Sequence, residues 1–384
     1  MHVRPCQHQE VSVYNSVAAL PAGWDALLPA EHPLHSSALA LYESIQLPDI
    51  SSYYALYGDP AAPLAIACFQ LLKVQTGHLN ASLLQGIQAV LVPQLLRFGK
   101  PSLLVAGNLF RHDIVSFHAQ SGLGNMDAFR AYEQMIAAVR AQSCALATLV
   151  KDVPQTLVPY FQNYAPKYLQ LRHDISMQLQ LPPEWQSFDD YAAALKHKYA
   201  QKLRKVRSSL TTLRVQELNV HEVAEQSAAL YRLYLQVSRH QVFSMGTLNE
   251  QFLPALKKFY GGRLKVWAFY EGKEMVAFAS AWLHEAAFDM FYIGFDYERN
   301  AALNLYFNIL YFSIEQAIAL RKPLLILGRT ALEAKARLGC TPHFLSTFLY
   351  VRSPYLRRFV SGKINNQHQQ EGAWEERHPM KGKP

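Results

Sequence analysis

At 384 residues the chain is long enough for two domains of ordinary size, each with its own core, and no run approaches the ~18–20 uninterrupted apolar residues of a membrane span. Half of the residues are apolar and only 17% are charged, which excludes a disordered chain. The net charge of +8 falls to +1 without the seven cations Lys196, Lys198, Lys202, Arg204, Lys205, Arg207 and Arg214, so the basicity is one local feature.

In chain order, the first thirty residues hold Arg4 and Glu10 and no apolar core of a signal peptide, so a cytoplasmic protein is expected. Tyr53 to Leu72 predicts two strands around an Asp-Pro turn. Ser82 to Phe98 is helix-like, and Ser102 to Phe110 is a strand containing Gly107. Met126 to Gln142 predicts a helix, Ala145 to Val153 a strand, Gln155 to Tyr164 a helix, and Tyr168 to Leu181 a closing strand.

Pro182 and Pro183 mark a boundary. Beyond them Tyr191, Leu195, Tyr199, Leu203, Val206, Leu210 and Leu213 recur at three- and four-residue spacing, which predicts one amphipathic helix with a basic outer face and Ser187 as its cap. That face over 196–214 is either a solvated surface or an anion-binding one. The anion could be coenzyme phosphates, a nucleotide-linked substrate or RNA, but Tyr191 and Tyr199 fall on the apolar side instead of among the cations, which disfavours RNA, and DNA is not expected.

Two helical segments, Val223 to Val237 and Leu248 to Phe259, precede a strand pair at Leu264 to His284 with Gly272 in its turn. Phe288 to Tyr297 is the next strand, Asn304 to Leu320 a buried helix, and Leu324 to Leu327 a buried strand. Thr330 and Glu333 have the spacing of a capping box, and Gly339 suits a helix end, so a short helix is expected over about Ala331 to Leu338. On it Glu333 and Arg337 form an i, i+4 pair, while Lys335 lies on the apolar stripe between Leu332 and Leu338. That ammonium either snorkels to water or is aimed into a site with a lowered pKa. Phe344 to Val351 closes the series, and the tail over 361–384 is polar and expected to lack structure.

Both halves read strand, strand, strand, helix, strand, helix, strand, which is a duplication: an α/β protein of mixed sheets, with domains over 1–183 and 184–360. Cys6, Cys68, Cys144 and Cys340 are scattered as reduced thiols, and no spacing suits a metal. There is neither a phosphate-binding G-x-x-x-x-G-K-[ST] loop nor a G-x-S-x-G elbow.

The segment SFDDYAAALKHKYAQKLRK, the strand end LILGRT and the helix E-A-K-A-R-L-G resemble Fem-type aminoacyltransferases and their FemAB-like relatives. LLVAGNLF and TLVKDV in the first half are similar too, and the likeness covers about residues 10 to 355. It implies two tandem GNAT-like domains, the first on the acceptor side and the second catalytic, with the amine acceptor held between them. The activity implied is transfer of an activated acyl or aminoacyl group to an amine, either a cell-envelope precursor or a small molecule. The donor is acyl-coenzyme A or another activated acyl compound, with nothing tightly bound.

By this likeness Lys335 is the first catalytic candidate, and Asp296, Tyr297 and Glu298 are candidates for base or acid. Gly294 and Phe295 stand where a kink frees an amide for the oxyanion, with a packing glycine as the other reading. Arg299 to Asn304 stands in place of the coenzyme loop [RQ]-x-x-G-x-[GA]; Arg299 fits, but Ala302 and Asn304 depart from it. Arg329, Thr330 and Asn108 are substrate-binding candidates, with Asp113, Arg172, His173 and Asp174 beside them. The second half has no room for a long helical arm, which disfavours tRNA as donor. A second reading is a binding protein on a degenerate GNAT pair that engages an anionic partner through the basic helix.

Overall fold

The computed structural model describes residues 10–29, 31–75, 101–111, 114–171, 175–240, 246–358, 360–362 and 377–382. The segment Ser82 to Phe98 and the candidates Asp113, Arg172, His173 and Asp174 lie outside the described residues. The chain divides into two compact units, one of Met1–Arg172, Phe243–Thr247 and Leu345–His368, the other of His173–Val242, Leu248–Phe344 and Gln369–Pro384.

The first unit carries β1 (Val11–Tyr14), α1 (Gly23–Ala26), α2 (Ser36–Ile45), β2 (Ile50–Asp59), β3 (Ala62–Lys73), β4 (Ser102–Ala106), β5 (Phe117–Ala119), α3 (Asn125–Ser143), β6 (Ala147–Val150), α4 (Val158–Tyr164) and β7 (Tyr168–Leu171). Its sheet has the order β1-β2-β3-β4-β6-β15-β7, with β5 also on β3, where β15 is Thr347–Val351 from the end of the chain. All pairs are antiparallel except β4 with β6. Its core sets Phe129, Tyr132, Met135 and Ile136 of α3 against Phe69 and Leu104 of the sheet, with Phe161 and Phe348 stacked 5.0 Å apart.

The second unit begins with β8 (Ile175–Gln180), α5 (Phe188–Ala194), α6 (His197–Leu210), β9 (Arg214–Glu217), α7 (Val220–Glu225), α8 (Ser227–Ser238) and α9 (Phe252–Tyr260). It continues with β10 (Leu264–Glu271), β11 (Glu274–Leu283), β12 (Ala287–Phe295), α10 (Tyr297–Leu303), α11 (Leu305–Ala319), β13 (Leu324–Gly328), α12 (Leu332–Ala336) and β14 (Thr341–Phe344). Its sheet runs β14-β8-β13-β12-β11-β10-β9. The buried run of β11 and the largely apolar α11 come together in one core with Trp267, Phe269, Phe288 and Phe312. Gly272, at φ +61°, makes the β10–β11 turn.

The repeat of strand and helix is present in both halves, but strands at the close of each half serve different sheets. The expected strand Tyr168 to Leu181 splits into β7 and β8, and the expected strand Phe344 to Val351 is β15, preceded by an unexpected short strand, β14. Thus β15 lies between β6 and β7, while β8 lies between β13 and β14. The boundary expected at Pro182–Pro183 therefore falls before β8. Period-two alternation reports which face a residue takes and is silent on which sheet it joins.

The single basic helix is likewise two. Ser187 and Asp190 form a capping box on α5, the chain turns at Leu195, and Arg214 belongs to β9. Several of the cations serve the fold: Arg207 bonds Glu315 at 2.8 Å and covers Phe188, Lys202 lies over Phe307, and Arg214 over Tyr270. The tail also departs from expectation at 377–382. There Met380 bridges Leu195, Lys381 donates its amide to the Ala194 carbonyl at 2.8 Å, and Arg377 pairs with Glu333.

Only three register pairs join β12 to β13, Ala287 with Leu324 through Asp289 with Ile326, and β12 continues through Phe295 after that parallel pairing has ended. The two strands part there, leaving their C-terminal ends splayed. Gly294, the candidate for a kink, is instead paired in register with Phe278. A Cβ on it would lie 2.6 Å from the backbone of Leu233 and Tyr234 and 2.4 Å from the Phe278 ring, so it is the glycine that lets α8 lie directly on β12. We expect Gly294→Ala to destabilise the protein by about 1–3 kcal/mol, read as a lowered thermal midpoint, because helix backbone cannot move aside as a side chain does.

Candidate active site

The site is built at the end of β13. Gly328 takes φ +78° and Ala331 φ +53°, so the chain leaves the strand through two left-handed residues before α12 begins. This start removes the expected capping box. Thr330 is exposed, no side chain caps α12, and the Glu333 carboxylate accepts from Arg337 at 2.5 Å and from Arg377 at 3.1 Å. The Glu333–Arg337 pair is present, and Gly339, at φ +96°, ends the turn. Tyr191 of α5 donates its hydroxyl to the Leu338 carbonyl at 3.1 Å, and Met380 fills the space beside Gly339.

These contacts fix Lys335, of which 3% is exposed. Its Nζ donates to the Gly328 carbonyl at 3.3 Å. An ammonium has three hydrogens, and no acceptor for the other two is found among the described residues. Burial pushes it down from its ordinary 10.5 to about 8, partly offset by the neighbouring Cys340, whose thiol burial raises to about 12.

The other wall comes from β12 and the helices after it. Asp296 caps α10, accepting from the amides of Glu298 at 3.0 Å and Arg299 at 3.2 Å. Glu298 is exposed. Tyr297 donates its amide to Gln236 Oε1 at 3.0 Å, and its ring stacks on His240 at 3.7 Å and on Phe295 at 4.8 Å. Burial raises the Tyr297 hydroxyl. Tyr306 is raised well above the usual phenol range by burial and, after it, by the proximity of Cys340 and Tyr297. The Tyr306 ring lies 5.9 Å from that of Phe295, on which Tyr297 stacks.

His240 and Tyr306 are the members that the sequence did not reveal. His240 Nδ1 lies 2.7 Å from the Gln236 carbonyl, which can only accept, so the proton is on Nδ1 and Nε2 is left with its lone pair. The only sequence signal was a histidine after an apolar helix, followed by an equally ordinary Gln.

The coenzyme-loop candidates are otherwise occupied. Residues 297–303 form α10, and the Arg299 guanidinium is held by Glu271 at 2.8 Å, Glu274 at 2.5 Å and Asp296 at 3.9 Å. Asn304 takes φ +49° where α10 passes into α11, and the amide of Tyr306, in the first turn of α11, is taken by Asn300 Oδ1 at 3.0 Å. Arg329 is half-buried beside Thr330 at the strand end. Asn108 is remote in sequence and belongs to the first unit, where its carboxamide oxygen accepts from the amides of Phe110 and Arg111 and its carbonyl accepts from the buried Lys151 at 2.9 Å.

Comparison with solved structures gives the fold a match in FemX, at 9% identity over 92% of this chain and 100% of that one, with a TM-score of 0.50. A tandem GNAT protein from the clavulanic acid biosynthesis pathway aligns at 9% identity over 90% of this chain and 99% of that one, TM-score 0.49. L-PGS from Bacillus licheniformis aligns at 11% identity over 87% and 98%, TM-score 0.47. At such identities the likeness to FemX bears on the fold alone, which is mixed α/β with one mixed sheet in each of two units. A search of curated proteins gave no significant match. The model of the FemAB-like family, described as peptidoglycan biosynthesis/recognition, matches residues 133–381, well over half of the sequence and all of the second unit's helices, and the chain belongs to that family.

Proposed function

We propose that the second unit transfers an activated acyl or aminoacyl group onto an amine, with a peptide-like cell-envelope precursor as the preferred acceptor class and a small-molecule amine as the other. The observation that carries this reading is Lys335: a buried cation at the parting of β12 and β13 with hydrogens to spare. When the amine attacks the acyl carbon, negative charge develops on the carbonyl oxygen and then on the leaving oxygen or sulfur. An ammonium held out of water beside that charge stabilises it far more than one in solvent does.

The attacking amine must also lose a proton. His240 Nε2 is the group available to take it, since the Asp296 carboxylate is committed to capping. Tyr297 holds the imidazole ring flat. The donor is better matched to an aminoacyl ester than to a coenzyme A thioester, because Arg299 already faces three carboxylates and the first-turn amide of Tyr306 is already bonded.

The test is to incubate the full chain with a UDP-linked muropeptide and either aminoacyl-tRNA or acetyl-coenzyme A, reading the amide product by mass. Lys335→Met is expected to lower the rate by about 10²-fold or more; an unaltered rate removes the assigned role. His240→Gln should cost about 10²-fold while the thermal midpoint moves little, since the side chain is exposed and loses only its stack on Tyr297 and one hydrogen bond. Because Lys335 loses its proton near pH 8, the part of the rate that depends on it should fall as pH rises through 8.

Stability should move the opposite way. The folded state binds this proton less tightly than the unfolded chain, so the protonated lysine is a cost at neutral pH, on the order of 3 kcal/mol at about 1.4 per pKa unit. That cost is relieved as pH climbs from 8 to 10.5. Lys335→Met should therefore have the higher thermal midpoint at pH 7, with its advantage narrowing across that window in parallel calorimetric scans.

A further inference from the structure

After β15 the chain turns at Ser353 into a short helical segment over 354–358 and 360–362, with the Arg357 amide bonded to the Ser353 carbonyl at 2.9 Å. Tyr355 is 90% exposed, more than any other large apolar side chain among the described residues, and Leu356 beside it is 37% exposed. Leu146, 39% exposed, adjoins the start of this segment, its carbonyl accepting from the Arg352 amide at 2.9 Å. Arg352 and Arg358 are exposed and Arg357 is half-buried. No aspartate or glutamate occurs from Ala334 to Gln370, a stretch with six lysines and arginines.

The geometry points to a docking surface for an anionic lipid bilayer, formed by residues 352–358 with Leu146. A tyrosine and two leucines that the fold leaves in water gain by entering the headgroup layer, and arginines at their flanks, in a stretch of sequence without carboxylates, meet lipid phosphates. The fold needs no spanning helix for this, and none of the described helices is long and apolar enough to be one. A polyanion such as RNA fits less well, because it would pair with the arginines and leave Leu146 and Leu356 without a role. The denser cations of α6 do not present the same surface: Leu203 and Val206 are buried, and Lys202 and Arg207 lie against Phe307 and Phe188.

The experiment is co-sedimentation of the full chain with phosphatidylcholine vesicles that contain or lack phosphatidylglycerol. Binding is expected to the anionic vesicles alone and to weaken with added salt. Arg357→Gln with Arg358→Gln should reduce partition by about 25-fold, near fivefold for each cation. Tyr355→Ser with Leu356→Ser should reduce it by about tenfold or more at constant charge. Tyr355→Ser alone, at the most exposed position, guards against a folding defect in the pairs and should also weaken binding. Three results overturn the inference: no sedimentation with anionic vesicles at low salt, wild-type binding by all these variants, or loss of binding only in Lys198→Gln with Lys205→Gln. Competition of the vesicle-bound protein by RNA, with the Tyr355 and Leu356 variants unaffected, overturns it as well.

Discussion

A lysine ammonium out of water is tolerated only where its surroundings are fixed, and Lys335 of the second unit is such a group. Lys335 has the Gly328 carbonyl as its hydrogen-bond acceptor, and both sit on a strand-to-helix corner that two left-handed residues turn sharply. A five-residue helix has little stability of its own. It is held from outside, by Tyr191 on its C-terminal carbonyl, by Met380 against Gly339, and by Arg377 on Glu333. Each of those partners comes from a distant part of the chain, so the position of one nitrogen depends on the folding of the whole unit.

The same dependence shows in the sheets. Each unit takes an interior strand from beyond the other half's helices, β15 between β6 and β7, and β8 between β13 and β14. Neither half of the sequence can complete its sheet alone, and the pairings involved join distant parts of the chain, such as Val150 with Phe348 and Met177 with Pro342. Contacts of that separation form late and at high entropic cost. The strand β8 that pays this cost also borders β13, and so backs the corner that carries Lys335.

Much of this was legible in the sequence, for identifiable reasons. Strands and helices followed from periodicity, the repeat followed from their order, and the place of Lys335 between Leu332 and Leu338 left it either snorkelling or inward, of which the fold takes the second. The capping box did not form, because Ala331 adopts a left-handed conformation that spacing between Thr330 and Glu333 cannot disclose. Gly294 was the right residue with the packing role, decided by the approach of α8, a contact between elements sixty residues apart in sequence. The stack of His240 on Tyr297 and the proximity of Tyr306 to Cys340 are equally nonlocal.

The irregularity of β12 bears on how the proposed chemistry divides its labour. The register of β11 and β12 slips between Ala279 and Ala281, opposite Ile293 and Met290, so the bulge lies at Phe291 and Tyr292. The buried Ser280 hydroxyl fills it, accepting from the Tyr292 amide at 3.0 Å and donating to the Tyr292 carbonyl at 2.7 Å. An amide used in this way is not offered to an oxyanion, and Gly294 is held in the ladder. The charge that a strand amide would stabilise then falls to a side chain, and a buried ammonium is the stronger partner because it brings a full charge where an amide brings a dipole. A site that relies on an ammonium must exclude water to keep that advantage, so under the proposed chemistry the burial of Lys335, a cost to folding, would serve the reaction.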